Sequence, residues 1–316
     1  MPRTCVIGGA GFIGSHVVDL LLSLGRKVTV VGRSTRPVRA LPEGVVYHAG
    51  DYGEGCFIQD ILQKMDEVIT LAHTTVPKSS FDDPVSDILG NLPAAVKLFE
   101  TAALCGPEKL VFVSSGGTIY GNTTELPITE GFQTNPISPY GITKLAMEKY
   151  ALMYHVTHKL PVVCVRPGNA YGPGQIPFSG QGLVATVAAS ILTGVDILSY
   201  GAKGMIRDYL HVRDIASGIV SALERGRPGE CYNIGSGIGR CTREVIEIIV
   251  SCGRSEGYRT TVLELPERSF DVSANVLNSN KLMAETGWKP EISFEKGVSE
   301  TWRWYSDNQE RDLLCP

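Results

Sequence analysis

Short β-branched runs and longer amphipathic stretches alternate along the first half of the chain. Cys5-Val6-Ile7, Val28 to Val31, Val45-Val46-Tyr47, Val68 to Leu71, Leu110 to Val113 and Val162 to Val165 are brief apolar runs. Continuous runs of this kind suit strands buried on both faces, as in a parallel sheet covered by helices. Ser15 to Leu24 reads as the helix after the first strand, with Gly25 as its stop. Leu89 to Cys105 carries Leu92, Ala95, Val96, Phe99 and Ala103 at helical spacing. Pro93 lacks the amide that a helix interior needs, so it is expected in the first turn of that helix. After about residue 173 the texture changes. Gly174 to Gly182 reads as a loop, Val184 to Leu192 as a helix, and Asp196-Ile197-Leu198 as a short strand. Ile215 to Glu224 and Arg243 to Ser251 read as helices, with a strand at Glu230 to Ile234. The pattern predicts an α/β fold, a doubly wound parallel sheet over residues 1–173, joined by a returning segment near 208–235. A smaller mixed α/β domain is expected mainly from 174–316. The tail around Trp302 and Trp304 either closes that domain or meets a partner.

Composition narrows the function classes. Lys plus Arg total 29 against 33 Asp plus Glu, a formal charge of -4. That balance implies no general attraction to nucleic acid or anionic lipid, while leaving room for a local basic pocket. The apolar run from Val17 to Leu24 is broken by Asp19 and is far shorter than the ~20 residues of a membrane span, so none is expected. Met1-Pro2-Arg3-Thr4 leads at once into Cys5-Val6-Ile7, with no secretory signal. The eight cysteines are scattered and include no C-x-x-C pair, which favours buried reduced thiols in a cytoplasmic protein. His155 and His158 are the one close histidine pair, and no metal site is expected.

The first chemistry lies at Gly8-Gly9-Ala10-Gly11-Phe12-Ile13-Gly14, between a strand and a helix. Glycines in that place permit a tight turn, close approach of a pyrophosphate to bare backbone, and close helix-strand contact. The helix N-terminus then faces the phosphates. A dinucleotide is the natural ligand, and residues 1–173 become its expected binding domain, a Rossmann fold. An acid is expected after the second strand to hold the adenosine ribose. The chain offers Gly32-Arg33-Ser34-Thr35-Arg36 instead. Arg33 and Arg36 either hold the 2′-phosphate of NADP or are solvated loop residues. Asp51 is either a partner for the adenine end or a turn residue.

A second signal is Tyr140-Gly141-Ile142-Thr143-Lys144 at the start of a helix, which puts Tyr140 and Lys144 on one face. A phenol near pKa 10 serves as a base only when a cation stabilises its phenolate, and an adjacent ammonium does that. The same spacing is common in helices. It gains weight downstream of the glycine turn and of a strand that ends in Ser114-Ser115.

Further segments follow in order: Ala72 with Thr74, Asn91, Val113 to Gly121, Pro136 to Gly141, Arg166 to Pro173, and Arg207 to Val212. Together they resemble the extended short-chain dehydrogenase/reductases that modify nucleotide-diphosphate sugars, most closely the UDP-hexose 4-epimerase-like branch. The likeness covers almost the whole chain. It implies an NAD-type cofactor touched by Gly8, Gly11, Phe12, Ile13, Gly14, Arg33, Asp51, Tyr52, Leu71, Ala72, Thr74, Asn91, Tyr140 and Lys144. It implies a nucleotide sugar, UDP-linked, held by Ser115, Asn169, Arg207, Arg268 and Asn275. Tyr140 and Lys144 would be the proton-transfer pair.

Two departures matter. Gly116 stands where the family carries its catalytic Ser or Thr, so Ser115 and Thr118 are expected to share the work at the sugar's 4′-oxygen. Gly32 stands at the place of the ribose-binding acid, which weakens NAD and keeps NADP open. Asn275 replaces the bulky Tyr of relatives restricted to unacetylated hexoses, which implies room for a 2-acetamido group. The implied reaction inverts C4 of UDP-glucose or its N-acetylated counterpart through a 4-keto stage. The alternative is an NADPH-dependent reductase of a 4-keto nucleotide sugar. A dehydratase is disfavoured, because Gly116-Gly117-Thr118 offers no carboxylate. Leu145, Met147, Leu152 and Met153 suggest a homodimer, although core packing accounts for the same residues.

Overall fold

The computed structural model describes residues 1–123, 125–266 and 272–308. It opens with β1 (Arg3–Ile7), α1 (Phe12–Ser23), β2 (Lys27–Gly32), β3 (Val46–Ala49) and α2 (Gly55–Leu62). β4 (Glu67–Thr70), α3 (Pro77–Asp82), α4 (Pro84–Cys105), β5 (Lys109–Val113), α5 (Pro139–His158) and β6 (Val162–Pro167) follow. Next come β7 (Asn169–Tyr171), α6 (Leu183–Thr193), β8 (Ile197–Tyr200), β9 (Ile206–His211), α7 (Val212–Arg225) and β10 (Cys231–Ile234). The last elements are β11 (Gly239–Cys241), α8 (Thr242–Ser255), β12 (Val262–Leu265), β13 (Ala274–Asn275), α9 (Asn280–Thr286) and α10 (Phe294–Asp307).

Seven parallel strands form the main sheet in the order β10-β6-β5-β4-β1-β2-β3. Successive residues of a strand point to opposite faces, so the apolar runs feed two cores. Val6, Val30, Val111 and Val163 pack with Val17 and Leu21 of α1 and Ile215 and Ile219 of α7. Cys5, Val68, Phe112 and Cys164 pack with Ile58 of α2, Phe99 of α4, and Met147 and Ala151 of α5. Strand order reverses at β1, whose neighbours are β2 and β4, and a crevice opens at the carboxyl ends of strands there. A smaller layer sits over that crevice. Its central strand β9 pairs with β7, β11 and β13, while β8 pairs with β12. Its core joins Val187 of α6, Ile249 of α8 and Trp302 of α10.

Several sequence expectations change. Pro93 lies inside α4 rather than in its first turn, because the helix begins at Pro84, where Asp83 accepts the Ser86 amide at 2.9 Å. α4 is also long and apolar enough to cross a membrane, which the run at Val17 to Leu24 did not suggest; here one face packs on the sheet and on α5. The tail is a helix whose Trp302 is buried and donates its indole N–H to Glu256 at 2.8 Å, closing the smaller layer. Of seven free cysteines among the described residues, only Cys5 and Cys164 are buried. Met147 faces the core rather than the surface.

The loop after β5 is anchored by a buried ion pair. Arg166 on β6 donates to Glu148 on α5 at 3.0 Å through Nε, and its Nη1 donates to the Tyr120 hydroxyl at 2.8 Å. Tyr120 in turn donates to Asn233 Oδ1 at 2.7 Å. Removing one member leaves a buried charge without its partner. Arg166→Met is expected to lower unfolding free energy by about 3 kcal/mol, and adding Glu148→Leu to recover most of it. Denaturant midpoints of the single and double variants check this.

Candidate functional site

The crevice is a cavity of about 510 Å³ bounded by the ends of β1, β4, β5 and β6, the start of α5, and the overlying β7 and β9. Each group reaches it for a local reason. Ser138 caps α5 by accepting the Gly141 amide at 3.1 Å, and Pro139 fits the first turn, so Tyr140 and Lys144 sit in the first two turns. Lys144 is buried and donates Nζ to the Val113 carbonyl at 3.0 Å, at the end of β5. The same nitrogen lies 5.9 Å from the Tyr140 ring centroid. Burial pulls the Lys144 pKa down to about 8, against a smaller upward pull from Asp87. Burial, and then the Asp87 charge, push the Tyr140 phenol well above its ordinary range.

The glycine turn fits a phosphate. A Cβ on Gly14 would collide with the Gly8 carbonyl oxygen, so backbone meets backbone where a side chain would stand. α1 follows Gly11, an N-cap with no side chain to cap it, which leaves its first amides for an anionic ligand. Both His73 ring nitrogens, Ser114 Oγ, Thr118 Oγ1 and Gln175 Oε1 are buried without a hydrogen-bond partner among the described residues. All four side chains line the cavity. Orphaned polar atoms gathered in one crevice match a polar ligand.

Most of the expected site residues converge. Gly8, Gly11, Phe12, Ile13, Gly14, Leu71, Ser115, Thr118, Tyr140, Lys144, Asn169 and Arg207 all line the cavity. Arg33, Asp51 and Tyr52 lie apart from it, at the ends of β2 and β3. There the Tyr52 hydroxyl is pushed up to about 12 by burial and then by Asp51, with Arg33 opposing. Ala72, Thr74 and Asn91 back the wall instead. The Asn91 side chain accepts the Thr74 amide at 2.8 Å and donates to Thr74 Oγ1 at 2.9 Å. Asn275 does not line the cavity; its amide donates to the Gly116 carbonyl at 3.0 Å, behind the Ser115–Thr118 segment. Arg268 lies outside the described residues.

The two sequence departures differ in how tightly they are packed. A Cβ on Gly116 would come within 2.5 Å of a Leu277 methyl and 2.7 Å of the Arg166 carbonyl oxygen. No side chain fits there, and the hydroxyls at the cavity come from Ser115 and Thr118. A Cβ on Gly32 would lie 2.7 Å from the Tyr47 hydroxyl, which donates to the Ser34 carbonyl at 2.7 Å. The end of the Tyr47 side chain would have to shift to admit a side chain at position 32.

Sequence reading missed His73, Thr75 and Gln175 in the lining. His73 and Thr75 had one available signal, their place just after β4, since loops at the carboxyl ends of parallel strands build such sites. Gln175 had none, because a Gly/Pro-rich loop does not announce which side chain turns inward. His211 proves to be a cap: it ends β9, and its Nδ1 accepts the Arg213 amide at 3.3 Å.

A family model described as "NAD dependent epimerase/dehydratase family" matches residues 4–235. The chain is 31% identical to the UDP-glucose 4-epimerase of Mycolicibacterium smegmatis, over 98% of this chain and 100% of that one. It is also 31% identical to a dTDP-glucose 4,6-dehydratase of Actinoplanes, over 97% and 98% of the two chains. The Thermus thermophilus UDP-glucose 4-epimerase, solved in complex with NAD, superposes with a TM-score of 0.89 at 35% identity, covering 96% of this chain and 99% of that one.

Burial pushes His73 down to about 2, helped by Lys144, and burial pushes His211 down to about 4, both from the ordinary 6.5. The unfolded chain therefore takes up protons first as pH falls, and stability that is complete above 6.5 drains away below it. The thermal midpoint is expected to fall steadily from pH 6.5 toward 4. His73→Gln and His211→Gln are each expected to flatten that slope; an unchanged slope in both would contradict the buried neutral state.

Proposed function

The chain belongs to the NAD dependent epimerase/dehydratase family, and from that premise we propose that it inverts C4 of a UDP-linked hexose through a transient 4-keto sugar. The observation that carries the reading is the meeting of Tyr140 and Lys144 with the glycine turn in one cavity. Tyr140, as phenolate, would take the proton of the sugar's 4′-hydroxyl. Lys144, held by the Val113 carbonyl, would place a positive charge beside that phenolate. Ser115 and Thr118 would hold the 4′-oxygen as it passes between alkoxide and ketone. Arg207 and Asn169, which line the cavity, would hold the diphosphate, and the same role is proposed for Arg268. Gly8, Gly11 and Gly14 would hold the dinucleotide, whose nicotinamide supplies the hydride acceptor and returns the hydride.

Elimination of water, the reaction of the dehydratase relatives, needs carboxyl groups at the sugar. None of the described residues lining the cavity is Asp or Glu, which favours epimerisation. One observation favours the second reading, an NADPH-dependent reductase of a 4-keto nucleotide sugar. Glycine, not an acid, stands at position 32, and Arg33 lies close enough to Tyr52 to bear on its hydroxyl. NAD remains the proposed cofactor, because an inversion returns its hydride and consumes no reductant.

The purified protein is expected to convert UDP-glucose to UDP-galactose without added NADPH, and to release NAD on denaturation. Tyr140→Phe and Lys144→Ala are expected to lose roughly a hundred- to ten-thousand-fold in turnover. A requirement for stoichiometric NADPH would replace the epimerase with the reductase.

A homodimer is proposed through α4 and α5. Val85, Ile88 and Leu89 on α4, and Ile142, Tyr150 and Met153 on α5, are exposed on neighbouring helices, an apolar surface suited to a second copy. Light scattering is expected to report a dimer, and Leu89→Glu with Ile142→Glu a monomer.

A further inference from the structure

Asp87 lies on α4 behind the site, with no exposure, and does not line the cavity. One carboxylate oxygen accepts from Thr143 Oγ1 at 2.5 Å, the residue just before Lys144 on α5. The other accepts from Thr75 Oγ1 and lies 3.4 Å from His73 Nε2. The His73 ring in turn stands edge-on to Tyr140, with centroids 4.6 Å apart. Because His73 is neutral, its approach to Asp87 is not an ion pair. Among the described residues, Asp87 is thus a buried carboxyl group whose direct side-chain contacts are all uncharged.

That is an expensive way to fill space. A buried carboxylate held only by neutral donors costs more than an apolar side chain of similar volume. The groups facing Asp87 explain the expense. Thr143, which donates to Asp87, directly precedes Lys144 on α5, and His73, beside the other carboxylate oxygen, stands edge-on to Tyr140, while Lys78 and Asp82 of the neighbouring α3 are exposed to solvent. Lys144 is the buried cation in this set.

We propose that Asp87 is the buried counter-charge of the Lys144 ammonium, a positioning residue that sets the pH window in which Tyr140 exchanges protons. The proposal rests on the reading of Tyr140 and Lys144 as the proton-transfer pair. Desolvation works to strip the proton from Lys144, and a fixed negative charge nearby retains it. The same charge resists a second anion at Tyr140. The resting site therefore holds a neutral phenol beside an ammonium, and the phenolate forms when further positive charge enters the cavity. Thr143 and Thr75 fix the carboxylate in register with α5 and with the cavity wall.

Asp87→Asn removes the charge and keeps both threonine contacts, because each hydroxyl can donate to the amide oxygen or accept from its nitrogen. Without the anion, Tyr140 ionises more readily and Lys144 loses its proton more readily. Both limbs of the pH–turnover profile with UDP-glucose are expected to move to lower pH, by roughly one unit. The phenolate absorbance difference between the NAD-loaded protein and its Tyr140→Phe variant, recorded with and without Asp87→Asn, reads the same shift without turnover. Lower turnover with both limbs and the absorbance titration in place would reduce Asp87 to a structural role and overturn the proposal. Should Asp87→Asn fail to fold, Asp87→Ser carries the same titrations. The two readings fail separately. Full activity in Tyr140→Phe removes the proposed reaction, whereas loss of activity there with unmoved limbs in Asp87→Asn removes only the counter-charge.

Discussion

The hydrogen bond from the Lys144 ammonium to the Val113 carbonyl, 3.0 Å long, ties the first turns of α5 to the end of β5. The rest of the site depends on that tie. Tyr140 stands one turn before Lys144 on the same helix face, so fixing the lysine fixes the phenol. The strand end that receives the bond continues into Ser114 and Ser115, whose side chains line the same cavity. One interaction thus sets the separation between the proposed base and the polar groups opposite. It also holds the ammonium out of water, and that burial brings its proton affinity near the working range.

Much of the remaining polar structure serves to keep this arrangement rigid. The Arg166–Glu148 pair spans β6 and α5 and reaches through Tyr120 to Asn233 on β10, so the loop after β5 is held from below. Asn91 holds the loop after β4 through Thr74. Asp87 joins that loop to α5. Each of these groups is buried, and each costs desolvation that an apolar residue would avoid. Their concentration around one crevice shows stability given up for geometry and charge.

The two departures from the family pattern differ in their surroundings. At Gly116 the space for a side chain is taken by Leu277 and the Arg166 carbonyl, whereas at Gly32 only the end of the Tyr47 side chain stands near. A missing motif residue is therefore not by itself a missing function. Hydroxyls from Ser115 and Thr118 stand at the cavity without position 116, whereas Tyr47 offers no charge in place of an acid. The consequence for the cofactor's ribose is accordingly greater than the consequence for the sugar.

The amino-acid order alone determined the features that depend on near neighbours. The strands of the main sheet were readable as apolar runs, the phosphate turn as glycines between a strand and a helix, and the Tyr140–Lys144 face from helical spacing, whereas most strands of the smaller layer were not. The start of α4 was not, because Asp83 caps it by a contact that competes with the simpler placement of Pro93 in a first turn. Asn275 and Arg33 were assigned by position along the chain, and their surroundings place them away from the cavity. Gln175 and Asp87 became visible only in three dimensions. Asp87 meets Thr75 and His73 from the loop after β4 and Thr143 from α5, and whether its charge is costly or harmless is decided by burial. Local order fixes periodicity and turn chemistry; desolvation and the pairing of distant groups arise only when the chain has packed.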